Sequence, residues 1–270
     1  MTVVNVAVLG LGEAGSAFAG GMAANGAHVR GFDPAEVSLP AGVADCITAA
    51  QAVSEAEAVI ALTHAADALD AAESAVGQMA PGAFYADFAT GDPELKREIA
   101  KRAREHGLRA IDGAVMSPVP LAGVATPVDV AGDDAGEFVR LLSPAGLRLT
   151  AVSTEPGVAA TRKLLRSVLV KGMSALVIES LRAAETAGEA DWFRGHVFDV
   201  LGQLDREYVT RLVEGNVKHS GRRVHEMAAA SELLRQLGEP PLTSEATRQV
   251  LESVPERGVP AMRDDSDVGR

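Results

Sequence analysis

Residues 3–34 read VVNVAVLGLGEAGSAFAGGMAANGAHVRGFDP. An apolar run that ends at Leu9 meets three glycines, a helical pattern of small residues follows, and a second apolar run closes on Asp33. This order predicts a strand, a tight turn, a helix and a second strand. The glycines follow the pattern G-x-G-x-x-G, which opens the helix of a dinucleotide-binding βαβ unit.

Each part of this turn has its own role in holding a dinucleotide. Gly10 permits the tight turn, Gly12 lets the backbone approach the pyrophosphate, and Gly15 lets the helix pack against the strand. The free N–H groups and the positive end of the helix face the phosphates. A glycine triplet alone also fits an ordinary turn, but the strand before it and the acid after it favour a nucleotide site. The predicted cofactor-binding residues of the turn are Gly10, Leu11, Gly12, Glu13, Ala14 and Gly15.

Asp33 predicts which nicotinamide cofactor binds. A carboxylate at the tip of the second strand accepts hydrogen bonds from the ribose hydroxyls of NAD. The 2′-phosphate of NADP would face that carboxylate, at a cost of about 4 kcal/mol per unit charge for an effective dielectric constant of roughly 20. No Arg or Lys lies between Pro34 and Thr48 to offset this cost, and Arg30 lies within the strand. The sequence therefore favours NAD, although a side-chain rotation or a lysine from elsewhere would admit NADP.

The composition narrows the class of protein. A chain of 270 residues buries a full core in one large or two modest domains. Its net charge of −12 repels nucleic acid, and no charge-free apolar run is long enough to span a bilayer. The single cysteine, Cys46, excludes an internal disulfide, and the first strand leaves no room for a signal peptide. We predict a cytoplasmic protein with a small-molecule substrate and with no nucleic-acid partner, membrane contact or metal site.

The alternation of apolar runs and helical patterns indicates two domains. Further strands are predicted at Ala58–Thr63, Ala83–Asp87, Leu108–Ile111, Val128–Ala131 and Leu147–Val152, and helices at Asp67–Met79, Pro93–His106 and Asp134–Leu142. After Pro156 the strand signal ends and helical patterns continue. We predict an α/β, Rossmann-type dinucleotide-binding domain with a parallel sheet at 1–155, an all-α substrate and dimerisation domain at 156–254, and a flexible tail at 255–270.

The long helix predicted after this break carries a polar stripe. Lys163, Ser167 and Lys171 follow one another at spacings of four, so they share one face, and leucines and valines flank them. An ammonium group buried in such surroundings needs a carboxylate, a ligand or a lowered pKa. Lys163 therefore either reaches solvent or a carboxylate such as Glu155, or lies in a cleft between the domains and exchanges a proton with the substrate oxygen.

Four motifs resemble the β-hydroxyacid dehydrogenases related to phosphogluconate dehydrogenase, over nearly the whole chain. The first is the glycine turn, and the second is Asp-x-Ser-Thr-x-x-Pro, matched by DFATGDP at residues 87–93. The third is a substrate loop, Asp-Ala-Pro-Val-Ser-Gly-Gly, echoed by DGAVMSP at residues 112–118. The fourth is a helix motif with Gly157, Lys163 and Leu164, in which Ser167 replaces an asparagine.

The resemblance implies an NAD(P)-dependent oxidoreductase that transfers a hydride between nicotinamide and a hydroxy-acid-like carbinol or carbonyl. It implies a homodimer formed through the helical domain, with Lys163 as general acid/base and Ser167 as its hydrogen-bonding support. Thr63 and His64 follow a strand, and ligands collect at such strand ends, so we expect them at the cofactor together with Thr90. The substrate contacts expected from the matched motifs are Ala89, Thr90, Met116, Ser117, Pro118, Lys163 and Ser167.

The departures from these motifs bear on the substrate. Ala89 replaces the family's substrate-binding serine, Met116 the loop serine, and Ser117 with Pro118 the glycine pair. Those groups grip a carboxylate in the family, so their loss argues against a simple short-chain hydroxy acid. The retained Lys163 argues against an imine-reductase variant. The alternatives to a hydroxy-acid dehydrogenase are an imine or larger-ketone reductase of the same fold and a non-catalytic dinucleotide-binding sensor or scaffold.

Two segments, 163–176 and 219–227, resemble one branch that has a distinctive helical C-terminal domain and mostly unknown substrates. His225 stands in the segment where the wider family has Lys-Asp-Leu, so the resemblance places it at the cofactor or substrate; a helix histidine paired with Glu226 or Arg222 is the alternative. Arg222 and Arg223 either hold a carboxylate or phosphate or form a solvated helix face.

Overall fold

The structure is a computed structural model that describes residues 3–262. The strands are β1 Asn5–Leu9, β2 His28–Phe32, β3 Val43–Asp45, β4 Ala58–Ala61, β5 Phe84–Asp87, β6 Arg109–Val115, β7 Pro127–Gly132 and β8 Arg148–Ser153. The helices are α1 Glu13–Ala24, α2 Ala49–Val53, α3 Ala68–Val76, α4 Pro93–Glu105, α5 Ala135–Leu142, α6 Val158–Thr186, α7 Ala190–Gly202, α8 Arg206–Gln236 and α9 Leu242–Arg257. The predicted α/β class with a following all-α part is confirmed.

Within residues 3–262, eight strands form one sheet in the order β3-β2-β1-β4-β5-β6-β7-β8. The order reverses beside β1, which pairs with β2 on one side and β4 on the other. Such a reversal opens a crevice at the carboxyl ends of the two central strands, where ligands bind in sheets of this kind. The fold therefore places a ligand site beside the glycine turn.

The sheet is parallel as predicted except at one pair of strands. β6 and β7 run antiparallel, whereas the other neighbouring strands run parallel. The link between β6 and β7, residues 116–126, holds two short 3-10 turns, Val119–Leu121 and Gly123–Ala125, and no α-helix. A parallel return needs a crossover of a dozen or more residues, usually helical, so this link reverses the chain instead.

The core lies on both faces of the sheet because successive strand residues point to opposite sides. Phe84 and Ala86 of β5 pack on the face that carries Phe18 of α1 and Phe138 of α5, and the rings of Phe84 and Phe138 meet edge to face at 5.3 Å. Tyr85 points to the other face, among the alanines of α2, α3 and α4. Four phenylalanines, Phe18, Phe84, Phe88 and Phe138, thus lie in one core layer, and the other layer is rich in alanine.

Two elements were not predicted from the sequence. β3 has three residues, none of them fully buried, and its pattern Val-Ala-Asp is too short to show an alternation. α2 has five residues and depends on a capping bond, in which the Gln51 N–H donates to Thr48 Oγ1 at 3.2 Å. Hydrophobic periodicity needs a longer window than either segment offers.

The chain divides into two compact units, one up to Ser167 and the other from Val168. The division falls inside α6, and the predicted boundary at 155/156 lies just before this helix begins. The first three residues of the predicted tail, 255–257, are helical, because α9 continues to Arg257 with Pro255 inside it. The last eight residues of that tail, 263–270, lie outside the described residues. Among residues 3–262, no helix has the length and apolar content that crossing a bilayer requires.

The second unit is held partly by a carboxylate that caps α9. Glu179 of α6 accepts hydrogen bonds from the N–H groups of Thr243 and Ser244, at 2.6 and 2.8 Å, and from the Ser244 hydroxyl at 2.6 Å. Burial opposes the charge of Glu179, but these hydrogen bonds outweigh it and lower its pKa below the ordinary 4.5. The charged form of Glu179 therefore stabilises the folded state.

We expect Glu179→Ala to reduce the free energy of unfolding by about 1–2 kcal/mol at neutral pH, as for the loss of a helix cap. The difference from the parent protein should shrink as the pH falls through the lowered pKa of Glu179, because the protonated acid contributes less. Urea unfolding followed by circular dichroism at a series of pH values measures this. Glu185→Ala, at an exposed acid on the same helix, is the control. Equal losses in the two variants at all pH values would contradict the capping role.

Candidate active site

The glycine turn lies between β1 and α1, and two of its glycines are required by the backbone. Gly10 has φ +87°, and a Cβ on it would lie 2.7 Å from the carbonyl oxygen of Leu62. A Cβ on Gly15 would lie 1.8 Å from the carbonyl oxygen of Gly10. A Cβ on Gly12 would meet nothing within 4 Å. Gly10 and Gly15 therefore allow the turn and the helix packing, and Gly12 borders open space at the start of the helix, where a phosphate would approach.

Asp33 is tied to this turn. It follows β2, and its Oδ2 accepts a hydrogen bond from the Leu11 N–H at 2.6 Å while its Oδ1 accepts one from the Ala35 N–H at 2.9 Å. The Leu11 side chain is buried in the core. The predicted acid at the tip of the second strand is therefore held beside the helix opening in a defined orientation.

A cleft of about 690 Å³ opens in front of the turn. Its walls come from the glycine turn, the residues that follow β2 and β4, and one face of α3, and they include the predicted Thr63 and His64. Four of the described residues that line the cleft are acids: Glu13, Asp33, Asp67 and Asp70. No Lys or Arg is among the described lining residues. The volume suits a ligand of cofactor size. The acidic walls give this cleft a negative charge at neutral pH.

Lys163 lies near the beginning of α6, and its side chain is half-buried. Its Nζ donates a hydrogen bond to Thr90 Oγ1 at 2.9 Å. Thr90 comes three residues after the end of β5, so the amine is held at the carboxyl edge of the sheet. Ser167 follows one turn later on α6 and is also half-buried. Two residues that sequence reasoning assigned to one site, Lys163 and Thr90, are thus in direct contact.

A cluster of three buried charged side chains, Asp87, Lys96 and Asp112, was not predicted. Asp87 is the last residue of β5, the strand that precedes Thr90. Lys96 Nζ lies 2.7 Å from Asp87 Oδ2 and 3.8 Å from Asp112 Oδ1, and all three side chains are at most 2% exposed. A signal was present in the sequence, because Lys96 shares the spacing of the buried Ile99 and Ala103 on α4. A lysine on the apolar stripe of a helix requires a buried partner.

Asp112 also caps α6. Its Oδ2 accepts hydrogen bonds from the N–H groups of Gly157 and Ala160, at 2.9 and 3.1 Å. Burial raises the pKa of Asp112 above its ordinary value, and the Lys96 ammonium and these two amides partly offset the effect. A strand thus supplies the cap of the helix that carries Lys163.

The remaining predicted residues lie on several elements. Ala89 is buried, and its N–H donates to Asp87 Oδ1 at 3.0 Å. Met116 is partly buried and packs against a small cluster formed by Ala114, Ala131 and Ala159, while Ser117 is half-buried and Pro118 is exposed. His225 is exposed on α8 in the second unit, where Arg222 and Glu226 pair at 3.6 Å. The substrate contacts assigned to these residues stay predictions.

The fold and this site define a class, that of proteins with a Rossmann-type dinucleotide-binding domain followed by a helical domain. Residues 5–134 match the family described as the NAD binding domain of 6-phosphogluconate dehydrogenase. Residues 184–254 match a family described as a domain of unknown function. The predicted resemblance to the β-hydroxyacid dehydrogenases is therefore confirmed, and residues 5–134 are similar to the NAD-binding domain of 6-phosphogluconate dehydrogenase.

Individual relatives agree with this assignment. A Mycobacterium bovis protein named "Probable 3-hydroxyisobutyrate dehydrogenase" is 30% identical over 143 residues, which are 51% of this chain and 49% of the relative. The chain thus spans about half the length of the curated relatives it matches. A conserved hypothetical protein from Sinorhizobium meliloti 1021 has a crystal structure that is similar with a TM-score of 0.61 and 29% identity, over 94% of this chain and 89% of that one.

A third similar structure is a reductive aminase from Aspergillus terreus in complex with NADPH and ethyl-5-oxohexanoate. Its TM-score is 0.78 with 17% identity, over 97% of this chain and 98% of that one. At that identity the likeness shows the fold alone. The common architecture therefore extends over nearly the whole chain.

Proposed function

We propose that the protein is an NAD-dependent oxidoreductase that transfers a hydride between the nicotinamide and a carbinol or carbonyl carbon. The observation that carries this proposal is the hydrogen bond of 2.9 Å between Lys163 Nζ and Thr90 Oγ1. β4 and β5 are parallel neighbours, so their carboxyl ends lie on the same edge of the sheet. The amine held at the end of β5 therefore belongs to the edge on which the cleft opens.

The residues present fit a bound dinucleotide. Gly12 leaves open space at the start of α1, where backbone N–H groups would meet the pyrophosphate. Asp33 lines the same cleft and would accept hydrogen bonds from the ribose hydroxyls, and the acidic lining of the cleft favours NAD over NADP. When bound, the nicotinamide supplies the hydride acceptor or donor.

Lys163 moves the proton that accompanies the hydride. In oxidation its neutral amine takes the proton of the substrate hydroxyl as the C–H hydride leaves, and a carbonyl and an ammonium result. In reduction the ammonium returns that proton to the carbonyl oxygen. Because Thr90 accepts a hydrogen bond from Nζ, it orients the amine. Ser167, one helical turn away, is proposed as a second support.

The substitutions in the matched substrate motifs favour a substrate that is larger or less polar than a short hydroxy acid. Ala89 and Met116 stand where the related enzymes carry hydroxyl groups, and Pro118 has no N–H to donate. These positions offer apolar contact in place of hydrogen bonds to a carboxylate. The same observation favours a second candidate function, reduction of a ketone or imine without a carboxylate group.

A substrate panel tests the proposal. It contains 3-hydroxyisobutyrate, other hydroxy and sugar acids, ethyl-5-oxohexanoate, ethyl levulinate and the cyclic imine dibenz[c,e]azepine, each followed by nicotinamide absorbance. We expect turnover with NAD or NADH in at least one class. Turnover of the ketone esters or of the imine, but of no hydroxy or sugar acid, would select the second candidate. Tight cofactor binding without any turnover would contradict catalysis and support a sensor or scaffold.

We further propose a cytoplasmic homodimer formed through the helical domain. The single cysteine supports a reducing compartment. α6 exposes a stripe of apolar side chains at helical spacing, including Leu165, Val168 and Leu169, which are 66%, 75% and 64% exposed. A second copy of this helix would cover such a stripe, since monomeric proteins rarely leave one in water.

Light scattering coupled to size-exclusion chromatography tests the dimer. We expect Leu169→Asp to convert a dimer into a monomer, because a charge buried at a helix–helix contact costs several kcal/mol. Leu121→Asp is the matched control, because Leu121 is 80% exposed but lies in the first unit, away from α6 in sequence. A monomeric parent protein, or equal behaviour of the two variants, would contradict this interface.

A further inference from the structure

We propose that Lys96 is a positioning residue that, with Asp87 and Asp112, sets the distance between Lys163 and Thr90. This inference rests on the proposed function, in which Lys163 moves the proton. Lys96 lies on α4, contacts neither Lys163 nor Thr90 through a described hydrogen bond, and acts on both through the backbone that carries them.

Lys96 holds the segment that leads to Thr90. Its Nζ donates three hydrogen bonds: to Asp87 Oδ2 at 2.7 Å, to the Asp87 carbonyl at 2.8 Å and to the Ala89 carbonyl at 2.7 Å. Asp87 Oδ1 accepts the Ala89 N–H at 3.0 Å, which closes the turn. An ammonium has three protons, and here each has an oxygen partner. The residue directly before Thr90 is therefore held through both its N–H and its carbonyl.

Asp112 holds the helix that leads to Lys163. Its Oδ2 accepts the N–H groups of Gly157 and Ala160, and Ala160 is three residues before Lys163. Its Oδ1 is buried, has no hydrogen-bond partner among the described residues, and lies 3.8 Å from Lys96 Nζ. A buried carboxylate needs a compensating charge, and the Lys96 ammonium is the cation at this distance. One ammonium thus joins the two segments whose side chains meet at Lys163 and Thr90.

Sub-ångström placement matters at such a contact, because a misplacement of about 1 Å costs roughly 100-fold in rate even when the change lies away from the reacting atoms. Lys96→Met leaves two buried carboxylates without a cation, and this variant is at risk of not folding. Asp112→Asn keeps the size and one oxygen that can cap α6, removes the charge, and replaces Oδ1, the oxygen 3.8 Å from Lys96 Nζ, with an NH2 group. Asp112→Asn is therefore the main test variant, and Lys96→Met is the second.

The matched control is Asp129→Asn. Asp129 on β7 lies 3.5 Å from Arg162 Nη1, the residue just before Lys163, so this change also removes a carboxylate that contacts α6 from the sheet. It does not touch Asp87, Lys96 or Asp112 in the described contacts. The control therefore distinguishes a general effect of removing a negative charge near α6 from the specific effect of breaking the Lys96–Asp112 contact.

The first measurement needs no substrate. The chain has five lysines, so NMR of isotope-labelled lysine side chains gives few signals, and Lys163→Arg identifies that of Lys163. We expect Asp112→Asn to move the Lys163 signal and its titration midpoint, and Asp129→Asn to leave both near the parent values. An unmoved signal in Asp112→Asn, or equal movement in the control, would overturn the proposal.

The second measurement is steady-state kinetics with the substrate found in the panel. We expect Asp112→Asn to lower kcat about tenfold or more, with the dissociation constant of NADH changed by less than about twofold, because the cofactor cleft lies on other residues. If Lys163→Met keeps full activity, the proposed function fails. If Lys163→Met loses activity while Asp112→Asn and a folded Lys96→Met match the control in kcat, only the positioning role fails.

Discussion

Replacing Lys163 by methionine is expected to lower kcat by about 10²–10⁴-fold, the range found when a general acid or base is removed. Methionine keeps the length and much of the volume of the lysine stem, so packing at the start of α6 changes little. The dissociation constant of NADH, measured by fluorescence titration, should change by less than about twofold, because Lys163 does not line the cleft of the glycine turn.

Lys171→Met is the control for this prediction. Lys171 lies two turns further along the same face of α6 and is exposed. We expect this variant to keep the parent kcat, since the chemistry depends on the amine held by Thr90. Equal losses in both variants would indicate a general effect of lowering the positive charge on the helix. A weak response to Lys163→Met, with activity on imines or ketones, would favour the imine or ketone reductase.

The pH dependence separates proton transfer from simple binding by the ammonium. In the parent protein, oxidation needs the neutral amine and should rise with pH through the pKa of Lys163, whereas reduction needs the ammonium and should fall. The limb that belongs to Lys163 should be missing from the kcat profile of Lys163→Met. If kcat of Lys163→Met still changes with pH over the same range as kcat of the parent protein, the titration belongs to another group.

Asp33 is expected to control the choice between NAD and NADP. The parent protein should bind NADH at least tenfold, and up to about 10³-fold, more tightly than NADPH, because a repulsion of up to about 4 kcal/mol per unit charge acts against the 2′-phosphate. Asp33→Asn removes this charge and should bring the two dissociation constants to within about tenfold. The ratio should also fall as salt is added, since the cleft is open to solvent.

The cleft offers a control for this prediction as well. Asp70 of α3 also lines the cleft, but it is not bonded to the glycine turn as Asp33 is through the Leu11 N–H. We expect Asp70→Asn to change both dissociation constants by a similar small factor. Asp33→Asn must therefore change the ratio of the NADPH and NADH dissociation constants, and not merely change both constants by the same factor. Tighter binding of NADPH than of NADH by the parent protein would refute the argument from Asp33.

The dinucleotide-binding unit was predictable because its information is local. Gly10, Gly12 and Gly15 lie within six residues, and the turn admits no Cβ at the first and third of them. The acid that faces this turn follows one helix and one strand later, and the Leu11–Asp33 bond spans 22 residues. Patterns of this length can be recognised in a sequence, because the conformation of each segment agrees with that of the segments next to it along the chain.

The antiparallel β7 and the buried charges below the lysine were harder to predict, since they depend on contacts between distant residues. The sequence pattern of β7 is that of a buried strand and does not state its direction, which the short link after β6 decides. The bonds from Asp112 to the start of α6 span 45 and 48 residues. Lys96 is a polar residue on an apolar stripe, but its partners are visible only once β5 and β6 lie side by side.

The amino-acid sequence by itself determined that a glycine turn opens a helix beside an acid, because steric limits on the backbone leave no other residue at Gly10 and Gly15. Only the tertiary structure decided that Lys163 meets Thr90, across 73 residues of chain, and that a buried ammonium joins the two segments which carry them. The physical reason is that a charge removed from water must find its counter-charge in space, wherever along the chain that partner lies.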